Sequence, residues 1–231
     1  MGNNASTGAF ENFERQCTLD KYLKTDMLQT GDILLYHPNC EFKKWSDLPL
    51  WCFEKAIMAI TRSEYSHASI IIRDPDFTSP PLKGLYVLES NHEYFPDAEN
   101  NEIKTGVELV HLEDVLNTYS GTIYWRKLIC ERNENFYNAL AEAHSVVHNR
   151  PYDLIPSDWC KAALKLNFGK TQRKKTFWCS ALVSYIYTQL GFLPSDTPWT
   201  LISPKMLGTE TGSNELEFKN CTLEKEQPII F

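Results

Sequence analysis

The sequence contains no C-x-x-C pair. Its seven cysteines, at 17, 40, 52, 130, 160, 179 and 221, are odd in number and irregular in spacing. That pattern argues against a disulfide framework and a zinc knuckle, and it fits a reducing, intracellular setting. Long apolar runs are also missing. The greasiest stretch, LPLWCFEKAIMAI at 48–60, is interrupted by Glu54 and Lys55 and is too short to cross a bilayer. The first thirty residues lack an apolar core segment, so no secretory leader is expected. The glycosylation-type triplets Asn4-Ala5-Ser6 and Asn220-Cys221-Thr222 are then chance matches. Positive charge is scarce: 23 Lys and Arg stand against 30 Asp and Glu, a net charge of −7. The cluster RKK at 173–175 is too short to offer nucleic acid a footprint, so no nucleic-acid partner is expected. Internal repeats and low-complexity segments are absent.

What is present suffices for one sizeable core. The chain has 231 residues, 42% of them hydrophobic and 13% aromatic, which a single domain over 19–231 accommodates behind a flexible tail at 1–18. The tail opens with MGNNAS, a match to M-G-x-x-x-[ST], so Gly2 is expected to carry a myristoyl group. Such a protein sits in the cytoplasm, peripheral on a membrane. One acyl chain anchors only marginally, and Cys17 is the candidate for a second lipid.

Strand patterns come first along the chain. TGDILLY (30–36) reads as a turn into a short apolar strand, and SHASIIIR (66–73), GLYVLES (84–90), GVELVHL (106–112) and GTIYWRKLI (121–129) supply four more. A helix is predicted over most of 46–61, capped by Ser46 or Asp47, and a short one over LEDVLNTY. DPDFTSPPLK is a loop. The second half is helical. ENFYNALAEAHSVVH places Phe136, Leu140, Ala143 and Val147 on one face and stops before Arg150-Pro151. Further helices are expected near 157–166 and from Phe177, the latter closed by Gly191 as a left-handed cap. The rest is loop with one edge strand. Strands early and helices late indicate α+β, an antiparallel sheet packed against helices.

Cys179 stands apart from the other thiols. With Thr176 as N-cap it occupies the first turn of its helix, near Lys174 and Lys175, where dipole and charge both favour thiolate. A buried cysteine is otherwise commonly inert. A nucleophilic thiol needs a base and a group to orient that base. His67 opens one strand and Glu89 closes another; a symmetric hairpin pairs them directly, side chains on one face. Other features compete less well. His92 lies in a surface loop. His144 and His148 have zinc-compatible spacing, but Ser145 stands where a metalloprotease has glutamate. GKT at 169–171 lacks the first glycine of a phosphate loop, since Leu164 occupies that place.

In order, TGDILLY, YSHASIIIR, YVLES, NRPYD, WCSALVSYIY and LISPKML resemble the permuted papain-like amidases of the YaeF/YiiX type, the circularly permuted branch of the NlpC-like thiol peptidases. The likeness runs from about Gly31 to Leu207. It implies a circularly permuted papain-like fold in which Cys179 is the nucleophile, His67 the base and Glu89 the orienting acid. It also implies that the Cys179 N–H donates to the oxyanion, that Tyr152 neighbours the site, and that no metal or organic cofactor takes part. DPDFTSPPLK and the 91–106 loop are particular to this chain, so substrate choice is not inherited.

The expected activity is therefore hydrolysis of an amide or ester, in a peptide, lipid or lipid-modified substrate, through an acyl-enzyme on Cys179. Two rivals stand beside it. A phospholipase or acyltransferase like the lecithin-retinol acyltransferase relatives shares the topology, but their N-C-E-H-F is F-W-C-S-A here. A membrane-tethered binding protein could keep the fold with the triad idle; unusual reactivity of Cys179 separates the two.

Overall fold

The run at 33–36 is apolar at every position, as befits a strand covered on both faces. In the computed structural model, which describes residues 19–39, 63–91, 95–152, 177–209 and 216–229, this run is β1 (Ile33–Pro38), central in a six-stranded sheet. The other strands are β2 (His67–Arg73), β3 (Leu85–Asn91), β4 (Gly106–His111), β5 (Gly121–Arg126) and β8 (Gln227–Ile229), in the order β4-β3-β2-β1-β5-β8. Every pairing is antiparallel. β6 (Leu128–Ile129) and β7 (Thr222–Leu223) form a separate pair. The chain is thus α+β, with an antiparallel sheet and helices.

Alternation along the strands divides the core. Ile33, Leu35, Ala68, Ile70, Ile72 and Leu88 cluster with α2 (Glu134–Val147) and α3 (Cys179–Gln189). Leu34, Tyr36, Ile71, Val87 and Val110 cluster with α1 (Leu112–Thr118) and a helical turn at 19–23. The sheet is the middle of three layers. Asn133 caps α2, its side chain accepting from the Phe136 N–H at 3.1 Å. Gly191, at φ +74°, follows the end of α3, and Phe192 N–H returns to the Tyr187 carbonyl at 2.8 Å, the closing geometry expected from the sequence.

Three expectations are corrected. GTIYWRKLI is broken at Lys127, because the Arg126 guanidinium turns into the core to donate to the Leu207 and Glu224 carbonyls. The C-terminal stretch supplies two short strands, not one: β7 and β8 lie on different sheets. The third, the start of α3, concerns the site and is described below. Helices expected over 46–61 and 157–166, the tail with Gly2 and Cys17, His92, and the GKT stretch lie outside the described residues.

The geometry around the TGD turn has its own logic. Gly31 adopts φ +97°, and a Cβ there would lie 2.6 Å from Leu128 Cδ2. Its carbonyl accepts from the Tyr187 hydroxyl at 2.6 Å, tying the turn to α3. Asp32, fully buried, accepts from four donors, one at Gln29 and three within the stretch 125–132.

Candidate active site

The β2–β3 ladder supplies the opening in which the site forms. Its register pairs Ile70 with Leu88 and runs away from there to Arg73 and Leu85. His67, Ala68 and Ser69 continue to pair with β1, and Glu89, Ser90 and Asn91 with β4, but the two trios do not pair with each other. The start of α3 meets the sheet here. The Ser90 hydroxyl donates to the Phe177 carbonyl at 2.7 Å, and the Ala68 N–H donates to the Cys179 sulfur.

This geometry changes how His67 meets Glu89. The register puts Glu89 level with Ser69, not with His67 as a symmetric hairpin requires. The displacement is two residues, so the parity and hence the face are kept, and the two are diagonal neighbours. His67 Nε2 lies 2.7 Å from Glu89 Oε2, and the carboxylate is almost completely buried. Cys179 is the second partner of His67: the imidazole acts on its sulfur through charge and a hydrogen bond.

α3 begins later than expected. Phe177 is held extended in a bridge with Tyr152, and Trp178 is the N-cap at φ −92°, ψ 169°. Cys179 is therefore the first helical residue, not the third. Tyr152 is buried and reaches the site through that bridge, two residues ahead of the thiol. Ser180 anchors the helix start from the other side, its hydroxyl donating to the Ile202 carbonyl at 2.7 Å. This gives the LISPKML stretch a physical task.

The electrostatics separate Cys179 from its counterparts. Burial pushes its thiol up, but the His67 charge, the hydrogen bond from that ring and the Ala68 and Ser180 N–H groups outweigh burial and bring it below the ordinary value. Burial likewise opposes protonation of His67, yet Cys179 and Glu89 together raise the imidazole to about 10. The pair thus favours thiolate and imidazolium. At Cys130 the Arg132 charge pulls the other way without overcoming burial, and burial raises both Cys130 and Cys221, the latter to about 11.

Two residues beside Cys179, His67 and Glu89 escaped the sequence reading. Tyr36 pairs directly with His67, its ring edge-on to the imidazole at 4.8 Å, and its hydroxyl meets the Ser69 hydroxyl at 2.8 Å. Glu108 pairs directly with Glu89 and is 1% exposed, with neither carboxyl oxygen hydrogen-bonded. Burial and the charges of Glu89 and Asp97 raise its carboxyl to about 9, against the opposing pull of Lys104 and His67. Glu108 therefore holds its proton at pH 7, directly opposite Glu89. A period-two pattern marks position 108 as buried, but its opposition to Glu89 needs the register.

The sign of its contribution follows. An acid whose native value is raised favours the fold fully below the ordinary value near 4.5 and progressively less as pH rises toward 9. Glu108→Gln is expected to leave stability unchanged near pH 4 and to raise it by about 2 kcal/mol at pH 7. Urea denaturation of both proteins at the two pH values measures this; an equal difference at both would refute it.

A second cluster lies apart from Cys179, His67 and Glu89 in sequence. Glu99 Oε2 accepts from His144 Nε2 at 2.9 Å and His148 Nδ1 at 3.0 Å. Burial opposes ionisation of Glu99, but the two imidazoles prevail and hold its carboxyl below the ordinary range. The helical spacing of the histidines was legible in the sequence, whereas their glutamate partner was not.

Among the described residues, no helix is long and apolar enough to cross a membrane. No protein-family model matches the chain, and no curated protein matches it in sequence. Among solved structures, the chain is similar to the crystal structure of metalloprotein yiiX from Escherichia coli O157:H7, DUF1105, at 19% identity and a TM-score of 0.41. That similarity covers 71% of this chain and 66% of that one, so the match spans just under two thirds of the yiiX chain.

Proposed function

We propose that the chain is a thiol hydrolase of permuted papain-like topology that cleaves an amide or ester through an acyl-enzyme on Cys179. One observation carries this reading: a buried thiol hydrogen-bonded to an imidazole whose Nε2 lies 2.7 Å from a buried carboxylate. Residues from β2, β3 and α3, far apart in sequence, meet in the arrangement nucleophilic catalysis requires. The thiolate attacks the substrate carbonyl carbon, forming a C–S bond and an oxyanion. The Cys179 N–H, left without an intrahelical acceptor in the first turn, donates to that oxyanion. His67 gives its proton to the leaving nitrogen or oxygen as the scissile bond breaks. A water then loses a proton to His67 and attacks the thioester, releasing the acid and restoring the thiolate–imidazolium pair. Glu89 keeps the imidazole in the orientation both transfers need.

The substrate class in this proposal is a peptide, lipid or lipid-modified amide or ester. Peripheral membrane attachment through an acylated Gly2 belongs to the same proposal and rests on the MGNNAS sequence alone. To test the chemistry, the full chain is mixed with an activated acyl ester and quenched in acid. Intact-mass and peptide analysis should find one acyl group, on Cys179, that is absent from Cys179→Ala and accumulates less in His67→Ala. Acyl groups spread over Cys130 and Cys221, or no adduct at all, would remove the basis for catalysis.

A further inference from the structure

Glu99, His144 and His148 take no part in the contacts described for Cys179 and His67, and they join the 97–101 turn to the end of α2. Three donor atoms, one from each side chain, lie within 4.8 Å of one another. Two of the three contacts are 2.9 and 3.0 Å, both to the same carboxylate oxygen. We propose that Glu99, His144 and His148 form a binding site for one zinc-class divalent cation, with a fourth coordination position left to water.

The donor set points to that class of ion. Two imidazole nitrogens and one carboxylate oxygen suit borderline metals such as zinc, whereas calcium and magnesium prefer oxygen throughout. Tetrahedral bonds of about 2.0–2.1 Å separate neighbouring ligand atoms by roughly 3.3 Å. The two contacts to Glu99 therefore need to open by about 0.4 Å, and the two imidazole nitrogens, within 4.8 Å of one another, to close by up to about 1.5 Å. An ion would take the place of the protons that now bridge the imidazoles to Glu99.

The supporting structure already fixes each ligand. His144 and His148 lie one turn apart at the C-terminal end of α2, the negative end of its dipole, where a cation is favoured. The His144 ring packs on Phe77 at 4.5 Å and on His148 at 5.2 Å. Glu99 is presented by a tight turn built around Asp97. That buried carboxylate accepts from the Glu99 N–H at 3.0 Å, the Leu109 N–H at 3.3 Å and the Lys104 ammonium, and Asn101 completes the turn at φ +59°. The His148 side chain is one-third exposed, which gives an ion an entry path. Its far nitrogen lies 2.6 Å from the Asn149 amide nitrogen. With a metal on Nδ1 that far nitrogen carries the proton, so the amide must turn to offer its oxygen. Lys104 then gives up Asn149 and keeps Asp97. Bound metal would clip the 97–101 turn to the end of α2.

This inference does not depend on the thiol reading, and the experiment keeps the two apart. The full-length protein is stripped with a chelator, dialysed and titrated with zinc chloride against a chromophoric zinc indicator. Wild type, Cys179→Ala, His148→Ala and Glu99→Gln are compared, with circular dichroism to verify that each is folded. Wild type and Cys179→Ala should bind one equivalent with the same affinity. His148→Ala and Glu99→Gln should each weaken binding by more than about 100-fold, because loss of a direct ligand exceeds the 10–100-fold typical of outer partners. Cobalt should give visible d–d bands with wild type that vanish in His148→Ala. The proposal fails if wild type binds no zinc at micromolar concentrations. It also fails if binding survives in His148→Ala and Glu99→Gln, or if only Cys179→Ala abolishes it.

Discussion

Replacing His67 with alanine is expected to slow alkylation of Cys179 at pH 6 by about 100-fold, with Cys130 and Cys221 unaffected. An ordinary thiol, with a pKa near 8.5, is only about 0.3% thiolate at that pH, while a thiol paired with imidazolium is largely ionised. The gain in thiolate is partly offset because nucleophilicity falls with basicity, which leaves a factor on the order of 100. The physical cause is local: the His67 charge and hydrogen bond are what overcome the burial of the sulfur. The pH dependence has a definite sign at each end. As pH falls through the lowered Cys179 value, the sulfur gains its proton and labelling stops. As pH rises through about 10, His67 loses its proton; the thiolate persists, so labelling continues while the proposed hydrolysis, which needs the imidazolium as acid, declines. Labelling with a small neutral reagent, quantified per cysteine by mass spectrometry, reads this out. A Cys179 rate at pH 6 that matched Cys130, or that ignored the loss of His67, would mean the pair is not ionised and would undercut the proposed mechanism.

Asp32→Ala is expected to destabilise the fold by about 3–5 kcal/mol, the range for uncovering buried partners of a lost charge. Oδ1 accepts from the Leu128 N–H at 2.9 Å and Arg132 at 3.3 Å; Oδ2 accepts from the Trp125 indole at 2.8 Å and the Gln29 N–H at 3.0 Å. Alanine leaves these donors facing an apolar void. Burial alone raises the Asp32 carboxyl, and these same donors pull it back without reaching the ordinary value. Asp32→Asn should fall between, because one amide oxygen can serve only one side of the cluster. The check is the urea midpoint at constant slope. A loss under about 1 kcal/mol would show that water or a shifted Arg132 replaces the carboxylate without difficulty.

The strands at 33–38, 67–73, 85–91 and 106–111 were legible because each is a dense apolar run bounded by Gly, Pro or Asp, and α2 because its apolar positions recur every three or four residues. Boundaries failed where a long-range contact competes with local preference. Phe177 and Trp178 have the composition of a helix start, but the Tyr152 bridge keeps the chain extended until Cys179. Lys127 interrupts a strand that reads as continuous, because Arg126 is drawn inward by carbonyls from 207 and 224.

The sequence by itself determined that Cys179, His67 and Glu89 are the residues to examine, since residue chemistry and position in an apolar pattern are local properties. It also determined which strand positions share a face, because the period of two survives a register shift of two. The tertiary structure alone decided how far apart they stand. The β2–β3 ladder ends at Ile70 and Leu88, and that early end admits the start of α3 and turns a nominal cross-strand pair into a diagonal contact. The same holds for Tyr36, for Glu108 opposite Glu89, and for Glu99 between two histidines: each is an ordinary residue until a partner tens of positions away comes within hydrogen-bonding or Coulombic reach. Distance in space, which sets the strength of a charge interaction and the existence of a hydrogen bond, is not a local property of sequence.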